Sequence, residues 1–256
     1  MTHVGHKVCE TASRDPSIGT GALSAMTNFS ELQGFDHAHG AATGTAARRS
    51  IDLHGLVKRT IDLGLTLVLL FGLSPLLLVL WVVCRLDGGP GVYGHVRVGR
   101  HGRPFRCLKF RSMVVDAEAV LARHLDACPQ ARIEWATTRK LTDDPRITAV
   151  GRLLRATSFD ELPQLFNVLL GDMSLVGPRP VVQAELDAFF GRRGAAAYLS
   201  VRPGLTGLWQ VSGRSDVDYP RRVALDMTYV RDASFLLDAQ ILLRTVRVVL
   251  LRKGAR

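Results

Sequence analysis

Residues 63–84 read LGLTLVLLFGLSPLLLVLWVVC, a run of roughly 22 residues without a charge, which as a helix is long enough to cross the hydrocarbon of a bilayer. Ser74-Pro75 lies in its middle. The proline removes one helical hydrogen bond and crowds the carbonyl of Phe71, so the helix is expected to bend or break there. The Ser74 hydroxyl can bond back to a carbonyl of the preceding turn, which lowers the cost of exposing polar backbone to lipid.

The flanks bear on how this segment sits. Arg48, Arg49, Lys58 and Arg59 precede it, and Arg85, Arg97, Arg100, Arg103, Arg106, Lys109 and Arg111 follow it. Both ends therefore carry the cytoplasmic mark of basic residues. A re-entrant hairpin satisfies both ends and is the favoured reading. A spanning helix with a proline kink, and a helix buried in a protein core, stay open as alternatives.

Upstream, residues 1–50 are rich in Gly, Ala, Ser, Thr and His and lack a sustained apolar period, which predicts a disordered polar tail. No continuous apolar h-region marks it as a cleaved signal peptide. His3, His6, His37 and His39 are read as scattered surface residues rather than a metal cluster. The organisation expected is a tail over 1–50, a membrane helix over 51–86 and a cytoplasmic catalytic domain over 87–256.

The charge of +10 and pI near 10.1 give a surface that attracts anions, whether phosphorylated substrates, lipid headgroups or nucleic acid. Cys9, Cys84, Cys107 and Cys128 are dispersed without a C-x-x-C pair, so neither a disulfide framework nor a zinc site is indicated.

Downstream, Asp87-Gly88-Gly89-Pro90-Gly91 ends the apolar helix with turn residues. Val92–Val98 and Phe105–Phe110 read as strands of a hairpin across Gly99–Gly102. Helical periodicity covers Ala117–Ala136 with an interruption at Pro129, then Leu162–Leu170, Leu186–Leu199 and Ser234–Leu251. The last carries Arg244, Arg247, Arg252 and Lys253 on a densely apolar helix, which suits either the headgroup layer or a core helix with a basic end. The fold class expected is α+β, helix-rich, with a small β-hairpin.

The densest polar constellation runs from Gly151 to Pro180, GRLLRATSFDELPQLFNVLLGDMSLVGPRP. Ser158-Phe159-Asp160-Glu161 fits a helix capping box, with Ser158 as N-cap and Glu161 at N3. Pro163 complicates that, because at the fifth helical position it collides with the carbonyl of Phe159, so the helix starts later or is distorted. The chemical reading starts from Asp160, a carboxylate that can attack phosphorus without a general base. Glu161 beside it can hold Mg²⁺, which prefers oxygen ligands and shields diphosphate charge. Arg146, Arg152, Arg155 and Arg179 surround the pair in sequence, with guanidinium forks that match phosphate oxygens.

Several motifs in order carry a resemblance. KRTIDLGLTLVLLFGLSPLLLVLWVV, KFRSM at Lys109–Met113, DPRIT at Asp144–Thr148, TSFDELPQLFNVLLGDMSLVGPRP and RPGLTGLWQVSGR at Arg202–Arg214 resemble the bacterial monotopic phosphoglycosyl transferases. The resemblance covers the chain from about Lys58 onward. GGPGVYGHVRVGRHGRPFRCLKFRSM and GLWQVSGRSDVDY are most similar to the undecaprenyl-phosphate galactose phosphotransferase branch, with glucose transferases close by.

The resemblance implies transfer of a hexose 1-phosphate from a UDP-sugar to undecaprenyl phosphate, with release of UMP, as the initiating step of exopolysaccharide, capsule or O-antigen synthesis. It implies Asp160 as nucleophile, Glu161 as the magnesium ligand and Arg155 as a phosphate contact. It further implies a turn shaped by Pro178-Arg179-Pro180, and roles for Lys109 and Arg111 in holding acidic groups. Arg214 is a candidate contact to nucleotide or sugar phosphate. The Ser74-Pro75 break is implied to dip into the inner leaflet of the plasma membrane, leaving the catalytic domain on the cytoplasmic face. The partners implied are a UDP-sugar, undecaprenyl phosphate and inner-membrane lipids, with a homodimer left open. Nucleic acid is not expected. A non-enzymatic membrane-bound assembly protein is the competing class, and the joint presence of Asp160, Glu161 and the arginines argues against it.

Overall fold

The computed structural model describes residues 53–86, 88–138, 140–213 and 218–250. The tail over 1–50, its histidines and Arg214 lie outside the described residues.

The apolar run forms one 33-residue helix, α1 (Leu53–Arg85), with Pro75 inside it. The expected break at Ser74-Pro75 does not interrupt the element. The reason is local: Ser74 Oγ donates a 2.8 Å hydrogen bond to the Phe71 carbonyl, the acceptor that Pro75 has no N–H to serve. One face of α1 is turned to the protein. Leu65, Leu69, Leu70 and Leu73 pack on one core cluster, and Leu77, Leu80 and Cys84 join another. The opposite face exposes Leu67, Val68, Phe71, Leu78, Val79 and Val82. Gly55–Arg85 is long and apolar enough to cross a membrane, with a mean hydropathy of 2.7 over an 18-residue window.

Polar contacts tie both ends of α1 to the same domain. Near its start, Lys58 Nζ lies 2.6 Å from Asp238 Oδ2, and Arg59 donates to the carbonyls of Val168 and Leu169. Buried Asp62 accepts from Ser174 Oγ at 2.7 Å. At the other end, Arg111 donates to the Cys84 carbonyl at 2.6 Å and to the Pro90 carbonyl at 2.8 Å.

The hairpin follows as expected, with β1 (Val92–Val98) antiparallel to β2 (Pro104–Phe110). A short 3₁₀ turn at Arg100–Gly102 joins them. The helical stretch after it divides at Pro129 into α2 (Ala117–Ala127) and α3 (Pro129–Thr138). Proline is tolerated there because it opens α3, where its missing N–H would have had no helical partner.

Next come α4 (Ala149–Thr157), α5 (Gln164–Leu170), β3 (Ser174–Val176), α6 (Gln183–Phe189) and α7 (Gly191–Ser200). The helix expected over 186–199 is two helices, because Gly191 takes φ +59 and turns the chain. β4 (Gly204–Thr206) pairs in parallel with β3, an element the sequence reading did not anticipate. Three-residue strands leave too little alternation to recognise, and the crossover through α6 and α7 separates the partners in sequence. The chain closes with α8 (Leu208–Val211), α9 (Tyr219–Asp232) and α10 (Phe235–Leu250).

The largest core cluster gathers Phe105, Cys107, Leu165, Val168, Met173, Leu175, Val176, Tyr229 and Ile241 from β2, α5, β3 and the residue before it, α9 and α10. Asn167 is buried beside it. Its Oδ1 accepts from the Leu108 N–H at 2.9 Å, and its Nδ2 donates to the Arg106 carbonyl at 2.8 Å, which fixes β2 against α5.

Candidate active site

Asp160 and Glu161 lie in a single 3₁₀ turn, Phe159–Glu161, between α4 and α5. The capping box anticipated at Ser158 is not formed. Ser158 makes no side-chain cap bond and instead adopts φ 60, ψ 18, closing α4 with its N–H directed to the Arg155 carbonyl. The physical reason is Pro163: α5 begins only at Gln164, after the proline. A left-handed serine costs about 1 kcal/mol, a strain concentrated at the residue that reverses the chain into the acidic pair. Phe159 and Leu162, on either side of the pair, pack on the cluster of Cys84, Phe110 and Leu154. The last turns of α1 and the acidic turn thus share one apolar support.

β2 supplies the counter-charge. Lys109 Nζ lies 2.6 Å from Glu161 Oε1 and 3.9 Å from Asp160 Oδ2. The Asp160 side chain is only 13% exposed, whereas Glu161 is 41% exposed, so one carboxylate is sheltered and the other faces solvent. Burial, and then the charge of Glu161, push the Asp160 carboxyl up to about 6, against the opposing pull of Lys109 and Arg155. Burial disfavours the Lys109 charge, but Glu161 and Asp160 outweigh it and hold the ammonium above its ordinary range.

α4 brings the second cation. Arg155 donates from Nε to Ser112 Oγ at 2.9 Å, and its charge acts on Asp160. The approach of α4 to this segment needs Gly151, where a Cβ would overlap the Ser112 carbonyl. Lys109, by contact, and Arg155, through its charge, thus both act on the acidic turn.

The other anticipated cations sit elsewhere. Arg111 is buried and directed to the carbonyls of Cys84 and Pro90, so it braces the chain leaving α1 rather than the acidic pair. Arg146 forms a two-point pair with Asp144, Nε to Oδ1 at 2.8 Å and Nη2 to Oδ2 at 2.6 Å, and stacks over Trp135. Burial works to raise the Asp144 carboxyl, but the hydrogen bonds from Arg146 prevail and hold it below its ordinary value. Arg152 is exposed and donates to the Ile147 carbonyl at 3.4 Å. Arg179 reaches over the Trp209 ring in a neighbouring cleft.

Sequence reasoning missed Ser112, Asp144 and Asn167 as supports of the site. Asn167 had a legible signal, an amide within the apolar run LFNVLL. Ser112 and Asp144 stood within the motifs KFRSM and DPRIT, but their partners are apparent only when the chain folds.

The donor set suits Mg²⁺. Asp160 and Glu161 offer hard oxygen ligands, one of them open to solvent. Among the described residues no group of three or more His, Cys, Asp or Glu side chains could hold a metal ion. A magnesium ion here would complete its shell with phosphate oxygens and water, the usual arrangement for this cation.

Comparison with known proteins identifies the family. The model of the family described as "Bacterial sugar transferase" matches residues 53–252. The chain is 54% identical over 199 residues to "Undecaprenyl-phosphate galactose phosphotransferase" of Salmonella typhimurium, covering 78% of this chain and 41% of that protein. It is 50% identical over 202 residues to "Exopolysaccharide production protein ExoY" of Sinorhizobium fredii, covering 78% of this chain and 88% of that protein. "Undecaprenyl-phosphate glucose phosphotransferase" of Komagataeibacter xylinus is 39% identical, with 37% of its length covered. The chain spans about four tenths of the length of the Salmonella relative. With a family match that takes in α1, the acidic turn and the helices that follow it, the chain belongs to the bacterial sugar transferase family.

Proposed function

We propose that this protein transfers a hexose 1-phosphate from a UDP-sugar to undecaprenyl phosphate. The observation that carries the reading is the sheltered Asp160 flanked by Glu161, Lys109 and Arg155 on the support shared with α1. Asp160 attacks the sugar-proximal phosphorus. A phosphorus–oxygen bond to the carboxylate forms, the bond to the bridging oxygen breaks, and UMP departs with the electron pair. A lipid phosphate oxygen then attacks the same phosphorus and returns Asp160 as a free carboxylate. No general base is required, since both nucleophiles are already anions.

Lys109 holds Glu161 and balances the paired negative charge, and Arg155 directs its cation toward Asp160. Glu161, with Asp160 beside it, would hold magnesium, which supplies charge neutralisation along the diphosphate. The relative named for galactose is 54% identical against 39% for the one named for glucose, and this supports galactose 1-phosphate as the group moved. The relative named for exopolysaccharide production supports a role in exopolysaccharide production.

The seating we infer is monotopic, at the cytoplasmic face of the plasma membrane. Lys58 and Cys84 both hold the same domain, although about 39 Å of helix axis separates them, more than the thickness of a hydrocarbon core. A helix that emerged on the far side would carry one of these contacts away from the domain. The apolar outer face of α1 then enters one leaflet, and basic flanks stay on the cytoplasmic side.

The test is an assay of the full chain in detergent with magnesium, undecaprenyl phosphate and a panel of UDP-sugars. UMP release with formation of lipid-linked hexose phosphate, greatest with UDP-galactose, is the expected result. No UMP from any sugar nucleotide sinks the reading.

A further inference from the structure

Arg179, Trp209, Tyr219, Arg222 and Asp226 line a cleft with about 240 Å³ of empty space. That space includes open solvent, so the cleft is a partly open notch that would hold one end of a ligand rather than enclose it. Cys107 in β2 feels the charges of Lys109 and Glu161 and also of Arg97 and Arg179, so the acidic turn and the Arg179 side of the cleft both lie near it.

Two polar atoms on its wall are unfilled. Asp226 is 3% exposed, and its Oδ1 has no hydrogen-bond partner among the described residues, while Oδ2 accepts from the Arg179 N–H at 3.2 Å. Trp209 is 9% exposed, and its Nε1–H also lacks a partner among the described residues. Buried donors and acceptors are normally satisfied, and an orphaned pair on a cleft wall points to a ligand. Burial pushes the Asp226 carboxyl up to about 7, consistent with a carboxyl short of partners.

The surrounding charge narrows the ligand. The guanidinium carbons of Arg179 and Arg222 stand 5.6 and 5.0 Å from the Trp209 ring centre, and Lys140 senses both cations. Cations alone suit any phosphate, but an unfilled carboxylate repels phosphate and calls for an N–H or O–H. The ligand must therefore be anionic at one end and hydrogen-bond-donating at the other. It also needs a body that tolerates apolar walls, which Phe190 and Val223 supply.

We propose that this cleft seats the nucleoside end of the sugar donor, with Arg179 and Arg222 toward its phosphate, Asp226 Oδ1 accepting from the base or ribose, and Trp209 Nε1 donating to a base carbonyl. A uracil ring offers such an N–H beside a carbonyl. The inference rests on the transferase reading above and adds to it the recognition of the leaving UMP.

The test is equilibrium binding of UMP to the full chain in detergent, for wild type, Asp226→Asn and Trp209→Phe, with melting temperatures recorded alongside. Both variants are expected to bind UMP about tenfold more weakly or worse, and Trp209→Phe keeps the aromatic body should Asp226→Asn fail to fold. Binding within about twofold of wild type in a folded variant overturns the inference. So does unchanged UMP binding with altered discrimination between UDP-galactose and UDP-glucose, which would assign the cleft to the hexose. If wild type neither binds UMP nor releases it, the transferase reading falls as well. If wild type turns over normally while the variants retain UMP affinity, only this inference falls.

Discussion

The Lys109 ammonium stands 2.6 Å from Glu161 Oε1, joining strand β2 to the turn after α4 across an interval of 52 residues. The same cation lies 3.9 Å from Asp160 Oδ2 and pulls that carboxyl downward. Lys109→Met leaves two neighbouring carboxylates without their nearest positive charge. We expect kcat/KM at neutral pH to fall about 100-fold. The acid limb of the pH–rate profile should move to higher pH, and Lys109→Arg should recover part of the loss. An unshifted profile would remove Lys109 from the account.

Asp160 must be ionised to attack phosphorus, and burial and Glu161 hold its carboxyl up to about 6. Activity should therefore decline as pH is lowered through about 6, with the slope of one proton. Stability should run the other way. A carboxyl raised above its unfolded value of 3.8 binds its proton more tightly in the folded protein. Its contribution is full below the unfolded value and is lost as pH rises through about 6 for Asp160 and about 7 for Asp226. Asp226→Asn should thus raise the melting temperature near pH 8 by the equivalent of roughly 1–3 kcal/mol, and much less near pH 4. Melting curves at the two pH values decide it.

Arg152 and Arg155 are three positions apart; both have guanidinium forks suited to phosphate, and the family resemblance singles out Arg155. Arg155 donates to Ser112 and acts on Asp160, whereas Arg152 is exposed with a single long contact to a backbone carbonyl. Arg155→Ala should lower kcat/KM by about 100-fold or more, and Arg152→Ala should stay within about threefold of wild type. Equal losses in steady-state kinetics would contradict the placement of both.

Ser74→Ala removes the 2.8 Å bond to the Phe71 carbonyl and leaves that acceptor unserved beside Pro75. We expect a loss of about 1–2 kcal/mol, measured as a lower melting temperature in detergent. The double variant Ser74→Ala with Pro75→Ala should recover most of it, because the backbone then regains an N–H one turn after Phe71 to serve its carbonyl.

Much of this arrangement was legible in the chain. The apolar run, the hairpin over 92–110 and the division of the following helix at Pro129 all come from local signals: hydropathy, turn residues and proline's missing N–H. Asp160 and Glu161 stood out because they lie between an arginine-rich segment and a proline. What stayed hidden depends on contacts distant in sequence. Arg111 looked like a holder of acidic groups and Arg146 like a phosphate ligand, yet Cys84 and Pro90 carbonyls take the first and Asp144 takes the second. Ser158 looked like an N-cap, and only the steric demand of Pro163 on the folded backbone makes it a left-handed stop. The cleft under Trp209 joins α8, α9 and the segment before α6, and no pattern within any one of them announces it.

The central claim is that Asp160 becomes covalently bonded to phosphorus during turnover. Intact-mass and peptide mass spectrometry of the full chain, incubated with magnesium and UDP-galactose but no lipid acceptor, tests it directly. The account predicts a gain of one hexose phosphate on the peptide carrying Asp160, discharged on adding undecaprenyl phosphate and absent from Asp160→Asn. Steady UMP release with no adduct, together with an Asp160→Asn variant as active as wild type, would contradict it.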